Sequence, residues 1–119
     1  MEFSDNKPIY RQIVDHAYNL ILDGRWEPGA RVPSVRELAA ELGVNTRTVL
    51  KAMEDLQNAD VIYSRRGMGF SLADDAPQKV RAQLRREFFE STLPRLEAEM
   101  KMLGISVEEL TEALRPKET

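Results

Sequence analysis

The sequence has no cysteine and only one histidine, His16, in 119 residues. Without cysteine there are no disulfides, thiolate nucleophiles or zinc fingers, and one histidine supplies neither a metal cluster nor a Ser-His-Asp arrangement. Long apolar runs are missing as well, since none exceeds three residues, Leu20 to Leu22 being one. A membrane-spanning helix needs about 18. The opening MEFSDNKP is not a secretory signal, so a cytoplasmic address with no membrane partner is expected. Aromatic residues make up only 7% of the chain, but hydrophobic residues make up 42%, enough for one modest core. The length fits one domain, or a small domain with an appendage.

A charge excess of either sign is also lacking. Residues 1–75 hold nine Lys/Arg against twelve Asp/Glu, and residues 76–119 hold eight against eight, which gives the net −3 of the whole chain. Neither half attracts a polyanion by bulk charge, so positive charge for such a partner must be local. Residues 43–70 offer Arg47, Lys51, Arg65 and Arg66 against Glu54, Asp55 and Asp60.

What is present is a periodic pattern. Pro8, with Asp5 or Asn6 as a cap, opens a helix in which Ile9, Ile13, Ala17, Leu20 and Ile21 recur at helical spacing until Gly24. The segment RWEPGARVP reads as an ordered turn with Trp26 as a core plug. Ser34 and Glu37 form an S-x-x-E capping box for a short helix with Leu38, Ala39 and Leu42 inward, ended by Gly43. Asn45 or Thr46 caps a third helix, whose stripe Val49, Ala52, Met53 and Leu56 leaves Arg47, Lys51, Glu54 and Asn58 on the opposite face. Two short strands follow, Val61 to Ser64 and Gly69 to Ala73, joined by a basic, glycine-containing tip of Arg65, Arg66, Gly67 and Met68.

Asp74 to Pro77 mark a boundary. The expected organisation is mainly α (α+β), with a winged helix-turn-helix domain over 1–75 and a helical dimerisation region over 76–119. In the second region Phe88, Leu93, Leu96, Met100 and Leu103 form an apolar seam, which Pro94 interrupts with a kink or short break near Thr92. Ser106 and Glu109 form a second capping box, with Ile105 stapled against Leu110. About 43 residues cannot enclose a private core, so two copies are expected to share one.

Leu38 to Met53 reads as two helices about a sharp turn: Ala39 permits close approach, Gly43 the turn, and Val44 and Val49 bury the corner. Such a third helix, about 10 to 12 Å wide, fits a major groove of ~12 Å. Here the chain resembles the GntR family of bacterial transcription regulators, and its C-terminal region looks like the YtrA subfamily. The likeness rests on PIYRQI, on Leu20 to Val44 with its run PSVRELA, on Thr48 to Ala52, and on Arg65 to Gly69. It implies a homodimeric repressor on an inverted-repeat operator in double-stranded DNA, often at transporter operons. It also implies DNA contacts at Ser34, Arg36, the start of the third helix (Thr46, Arg47 and Thr48) and the wing tip (Arg65, Arg66, Gly67 and Gly69).

The residues add physical reasons. Arg47 can reach a guanine or a phosphate and Lys51 a phosphate, while glycines beside Arg65 and Arg66 let a wing lie along a minor groove. Arg36 has Glu37 and Glu41 as competing partners. Four positions depart from the family pattern: the arginine at the start of the third helix is shifted by one, to Arg47, and Leu50 stands where a second arginine is common, so base preference does not transfer; Asp60 stands where glycine is frequent, and Ser71 where an aromatic is frequent, with Phe70 able to take over its packing.

No cofactor or metal site is expected, His16 reads as structural, and Tyr10, Tyr18 and Trp26 read as core. The carboxylates Glu108 and Glu109 belong to a cap, so an enzyme is not indicated. A small-molecule effector stays open; it would use the dimer interface or the junction with the wing. The rival to DNA binding is a winged-helix module that docks another protein.

Overall fold

The computed structural model describes Phe3 and residues 7–117. Helix α1 (Ile9–Leu22) starts at Pro8, whose carbonyl accepts from the N–H groups of Arg11 and Gln12. The expected caps Asp5 and Asn6 lie outside the described residues. Ile13, Val14, Ala17, Tyr18 and Ile21 of α1 are buried, the 3–4 spacing that packs one helical face.

Helix α2 (Val35–Leu42) carries both halves of its capping box. The Glu37 N–H donates to Ser34 Oγ at 3.1 Å, and the Ser34 N–H donates to Glu37 Oε1 at 3.2 Å. Its last turn closes on Gly43 at φ 68°, left-handed backbone that a Cβ penalises. Nothing lies within 4 Å of a Cβ placed there, so the demand for glycine is purely one of backbone. Helix α3 (Thr46–Asn58) is capped by Asn45, whose side chain accepts the Arg47 N–H at 2.8 Å. Its stripe of Val49, Ala52, Met53 and Leu56 is buried against α1 and α2. Val44 and Leu42 are only half-buried, so Val49 carries the corner.

Asp60 links α3 to the sheet at φ 59°, where the sequence has no glycine. Strands β1 (Ile62–Arg65) and β2 (Gly69–Leu72) form an antiparallel hairpin from Ile62 opposite Leu72 to Arg65 opposite Gly69. Strand β1 is shifted one residue along from its expected Val61 to Ser64, so that Arg65 ends the strand instead of belonging to the tip, and β2 stops one residue before the expected Ala73. The connector after α1 adds a third edge that its prolines and glycine concealed. The Gly29 N–H donates to Leu72 O, the Leu72 N–H to Ala30 O and the Val32 N–H to Phe70 O, at 2.8 to 3.0 Å. Ser71 is buried, whereas Phe70 is half-buried and so does not take a core place. Trp26 is half-buried at the edge of a small crevice lined by Ile13, Leu38 and Met53.

Two compact units are resolved, residues 1–82 and 83–119. Helix α4 (Ala76–Glu87) begins in the first, where Ala76 and Val80 are buried and Lys79 Nζ donates to Asp60 O at 3.1 Å. In the second, residues Phe88–Thr92 form a π turn before α5 (Leu93–Leu103). Pro94 has no N–H for the carbonyl four residues back, and the Leu93 N–H reaches five residues back to Phe88 O. The interruption expected near Thr92 is therefore a widened turn rather than a break, since Thr92 and Leu93 keep helical backbone. Helix α6 (Val107–Leu114) follows Gly104. Ser106 accepts the Glu109 N–H, but the reciprocal bond seen at Ser34 does not form, so this cap is half a box.

Candidate nucleic-acid interface

The candidate residues come from three places in the first unit: the start of α2, the exposed face of α3 and the tip of the hairpin. Ser34 Oγ accepts the Glu37 N–H, and this half-buried side chain holds the first turn of α2 in place. Arg36, the second residue of α2, is exposed. Neither acidic neighbour takes it, because Glu37 pairs instead with Arg31, at 3.0 Å. Among the described residues, no ion pair or side-chain hydrogen bond engages Arg36, Arg47, Arg65 or Arg66, which leaves four exposed guanidinium groups for an outside acceptor.

On α3, Thr46 and Arg47 are exposed and Thr48 is half-buried. The Asn45 cap fixes the backbone from which Arg47 projects. One turn further, Leu50 is 45% exposed. Lys51 Nζ lies 4.6 Å from the centre of the Tyr10 ring, a cation–π contact that brings the beginning of α1 to the exposed face of α3. Tyr10 is thus more than the core aromatic its position suggested. Glu54 shares the exposed surface, so this face is not uniformly basic.

At the hairpin tip the Met68 N–H donates to Arg65 O at 2.9 Å, and Gly67 and Gly69 both have positive φ, 75° and 69°. Those angles close the turn and keep its backbone bare. Arg65 and Arg66 stand exposed beside it. Arg31, which nothing in the local pattern marked, lies between this tip and α2: its Nε is 3.9 Å from where a Cβ on Gly69 would sit, and its Nη2 holds Glu37. Glu37 is kept below the ordinary glutamate range, first by the Ser34 N–H, then by the Ser34 side chain, and only after that by Arg31.

The second unit has a different character. Val80 is the last buried residue along the described chain, and residues 83–117 bury none. Leu93, Leu96 and Met100 are half-buried and line, with Ile105, Val107 and Leu110, an open apolar groove of about 430 Å³. Phe88 and Leu103, from the same predicted seam, are exposed, and Phe89, Met102 and Leu114 join them. Among the described residues, no group of three or more potential ligands is placed to hold a metal ion, and no helix is long and apolar enough to cross a membrane.

Three helices with a glycine-turned α2–α3 pair, followed by a two-stranded wing, define a winged helix-turn-helix DNA-binding protein. The profile of bacterial regulatory proteins of the gntR family matches residues 9–72, and the chain belongs to that family. It is 32% identical to the HTH-type transcriptional repressor YtrA of Bacillus subtilis, over 91% of this chain and 82% of that protein. A GntR family transcriptional regulator from Listeria monocytogenes superposes with a TM-score of 0.78 at 35% identity, over 98% of this chain and 100% of that one. The DNA-binding domain of AraR in complex with operator ORR3 superposes at 0.55 and 29% identity, over 61% of this chain and 88% of that one. The protein is a DNA-binding transcriptional regulator of a non-enzymatic class.

Proposed function

We propose that the protein is a homodimeric repressor that recognises an inverted-repeat operator. The observation that carries this is the set of unengaged guanidinium groups, Arg36 on α2, Arg47 on α3 and Arg65 with Arg66 on the wing, in a chain whose net charge is −3. With so little bulk attraction, affinity has to come from a few placed contacts. Arg47 and Leu50 face base edges, the arginine towards a guanine and the leucine towards a thymine methyl group. Ser34, Arg36, Thr46, Thr48 and Lys51 hold the phosphate backbone, and Arg65, Arg66, Gly67 and Gly69 lie along the adjacent minor groove.

Dimerisation is assigned to the region 76–119, whose stretch 83–117 buries no residue and needs a second copy to cover Phe88, Leu93, Leu96, Met100 and Leu103. The relative named YtrA is a repressor, which supports repression by occupancy here. A small effector would act through the shared helical region, and a cytoplasmic location follows from the role. Selection of bound sequences from random duplex DNA tests the reading: an enriched inverted repeat is expected, with affinity falling as salt rises. Failure to enrich any sequence would favour a module that docks protein.

A further inference from the structure

Arg31 stands between two surfaces given to DNA above, the first turn of α2 and the wing tip. Its backbone bridges to Ser71 of β2, its Nε faces Gly69, and its Nη2 donates to Glu37 Oε1 at 3.0 Å. That carboxylate oxygen also accepts the Ser34 N–H at 3.2 Å, so Arg31 is tied to the capping box from outside. The two side chains are 54% and 56% exposed, and an ion pair so hydrated contributes little. The capping box does not use it, since Ser34 and Glu37 close both of its hydrogen bonds between themselves, at 3.1 and 3.2 Å. Removing Arg31 from Glu37 therefore leaves the α2 cap intact.

A guanidinium at that junction has five N–H donors in a planar fork that matches a phosphate as well as a carboxylate. We infer that Arg31 is a further DNA-contacting residue, which exchanges the Glu37 carboxylate for a backbone phosphate when α2 and the wing dock, with Glu37 as the phosphate's internal competitor. The inference rests on the docking face proposed above. Its distinctive consequence is that a carboxylate in the interface lowers affinity through one particular arginine, and not merely by repelling DNA.

The test uses the full chain and a duplex enriched from a random pool by the wild type, with a scrambled duplex of equal composition as control. Arg31→Ala should weaken both roughly five- to tenfold at ~0.1 M salt and lower the salt slope by about one. Glu37→Gln, which keeps a residue able to complete the capping box, should tighten binding about two- to fivefold. In the Arg31→Ala background that gain should disappear. Thermal unfolding of each variant separates a lost contact from a lost fold, and Arg31→Lys should restore the slope but only part of the affinity. Unchanged affinity and slope in a folded Arg31→Ala protein would overturn the inference while leaving the DNA reading standing. So would an equal gain from Glu37→Gln in both backgrounds, which would mean general repulsion. If the wild type enriched no duplex, both would fall together.

Discussion

The ammonium group of Lys51, midway along α3, sits 4.6 Å from the centre of the Tyr10 ring at the start of α1. Forty-one positions of sequence separate the two, and the packing of α1 on α3 brings them together. The ring restrains a long side chain that would otherwise lose rotamer freedom only on meeting DNA, so part of that ordering is already done in the free protein.

Lys51→Ala is accordingly expected to weaken operator and scrambled duplexes alike and to reduce the salt slope by about one. Tyr10→Leu should reproduce a part of that loss, and Tyr10→Phe, which keeps the ring, almost none. The double variant Tyr10→Leu/Lys51→Ala should bind no worse than Lys51→Ala alone. Additive losses in that cycle, measured by fluorescence anisotropy, would show that Tyr10 does not act through Lys51.

Base reading is expected to divide between Arg47 and Leu50. Arg47→Ala should cost about 1 to 3 kcal/mol on the operator and relax preference at one base position per half-site. Leu50→Ala should relax preference at a thymine, and replacing that thymine with uracil, which lacks only the methyl group, should weaken the wild type but not the variant. Equal losses on operator and scrambled DNA for Arg47→Ala would move that residue to phosphate.

A truncation ending at Ala82 keeps the buried Ala76 and Val80 and removes the second unit. It should fold, sediment as a monomer and bind the inverted repeat far more weakly. In the full chain, two α3 helices should meet major grooves about one helical turn apart, ~34 Å. Five inserted base pairs should turn one half-site away and reduce binding towards the single-site level in gel shifts. Undiminished binding would sink a fixed two-fold geometry.

The depressed Glu37 predicts a pH effect of definite sign. A carboxyl group that binds its proton less readily when folded adds stability at pH values above its unfolded pKa, and that stability is lost as pH falls through the folded value. Between roughly pH 5 and 3, wild type should lose more stability than Glu37→Gln in parallel urea titrations. Identical acid profiles would show that the Ser34 hydrogen bonds do not favour the ionised form.

Several elements could be read from neighbouring residues alone. Ser34 and Glu37 announce the start of α2, Gly43 its end, and the spacing of Val49, Ala52, Met53 and Leu56 the buried face of α3, because caps, left-handed turns and helical stripes are settled within one or two turns of chain. The hairpin and its basic tip were legible for the same reason, to within one residue at each end. The third edge along β2 was not, since the prolines and glycine of the connector mask a segment whose pairing partner lies some forty residues away.

By itself, then, the sequence determined which segments become helices, where they stop and which faces they hide. Only the tertiary structure decided which charged groups are already engaged. It turned Glu37 to Arg31 instead of Arg36, set Lys51 on Tyr10, and left residues 83–117 without a buried side chain. The physical reason is range: backbone preferences act between near neighbours, whereas the partner of a long charged side chain depends on where packing places elements distant in sequence.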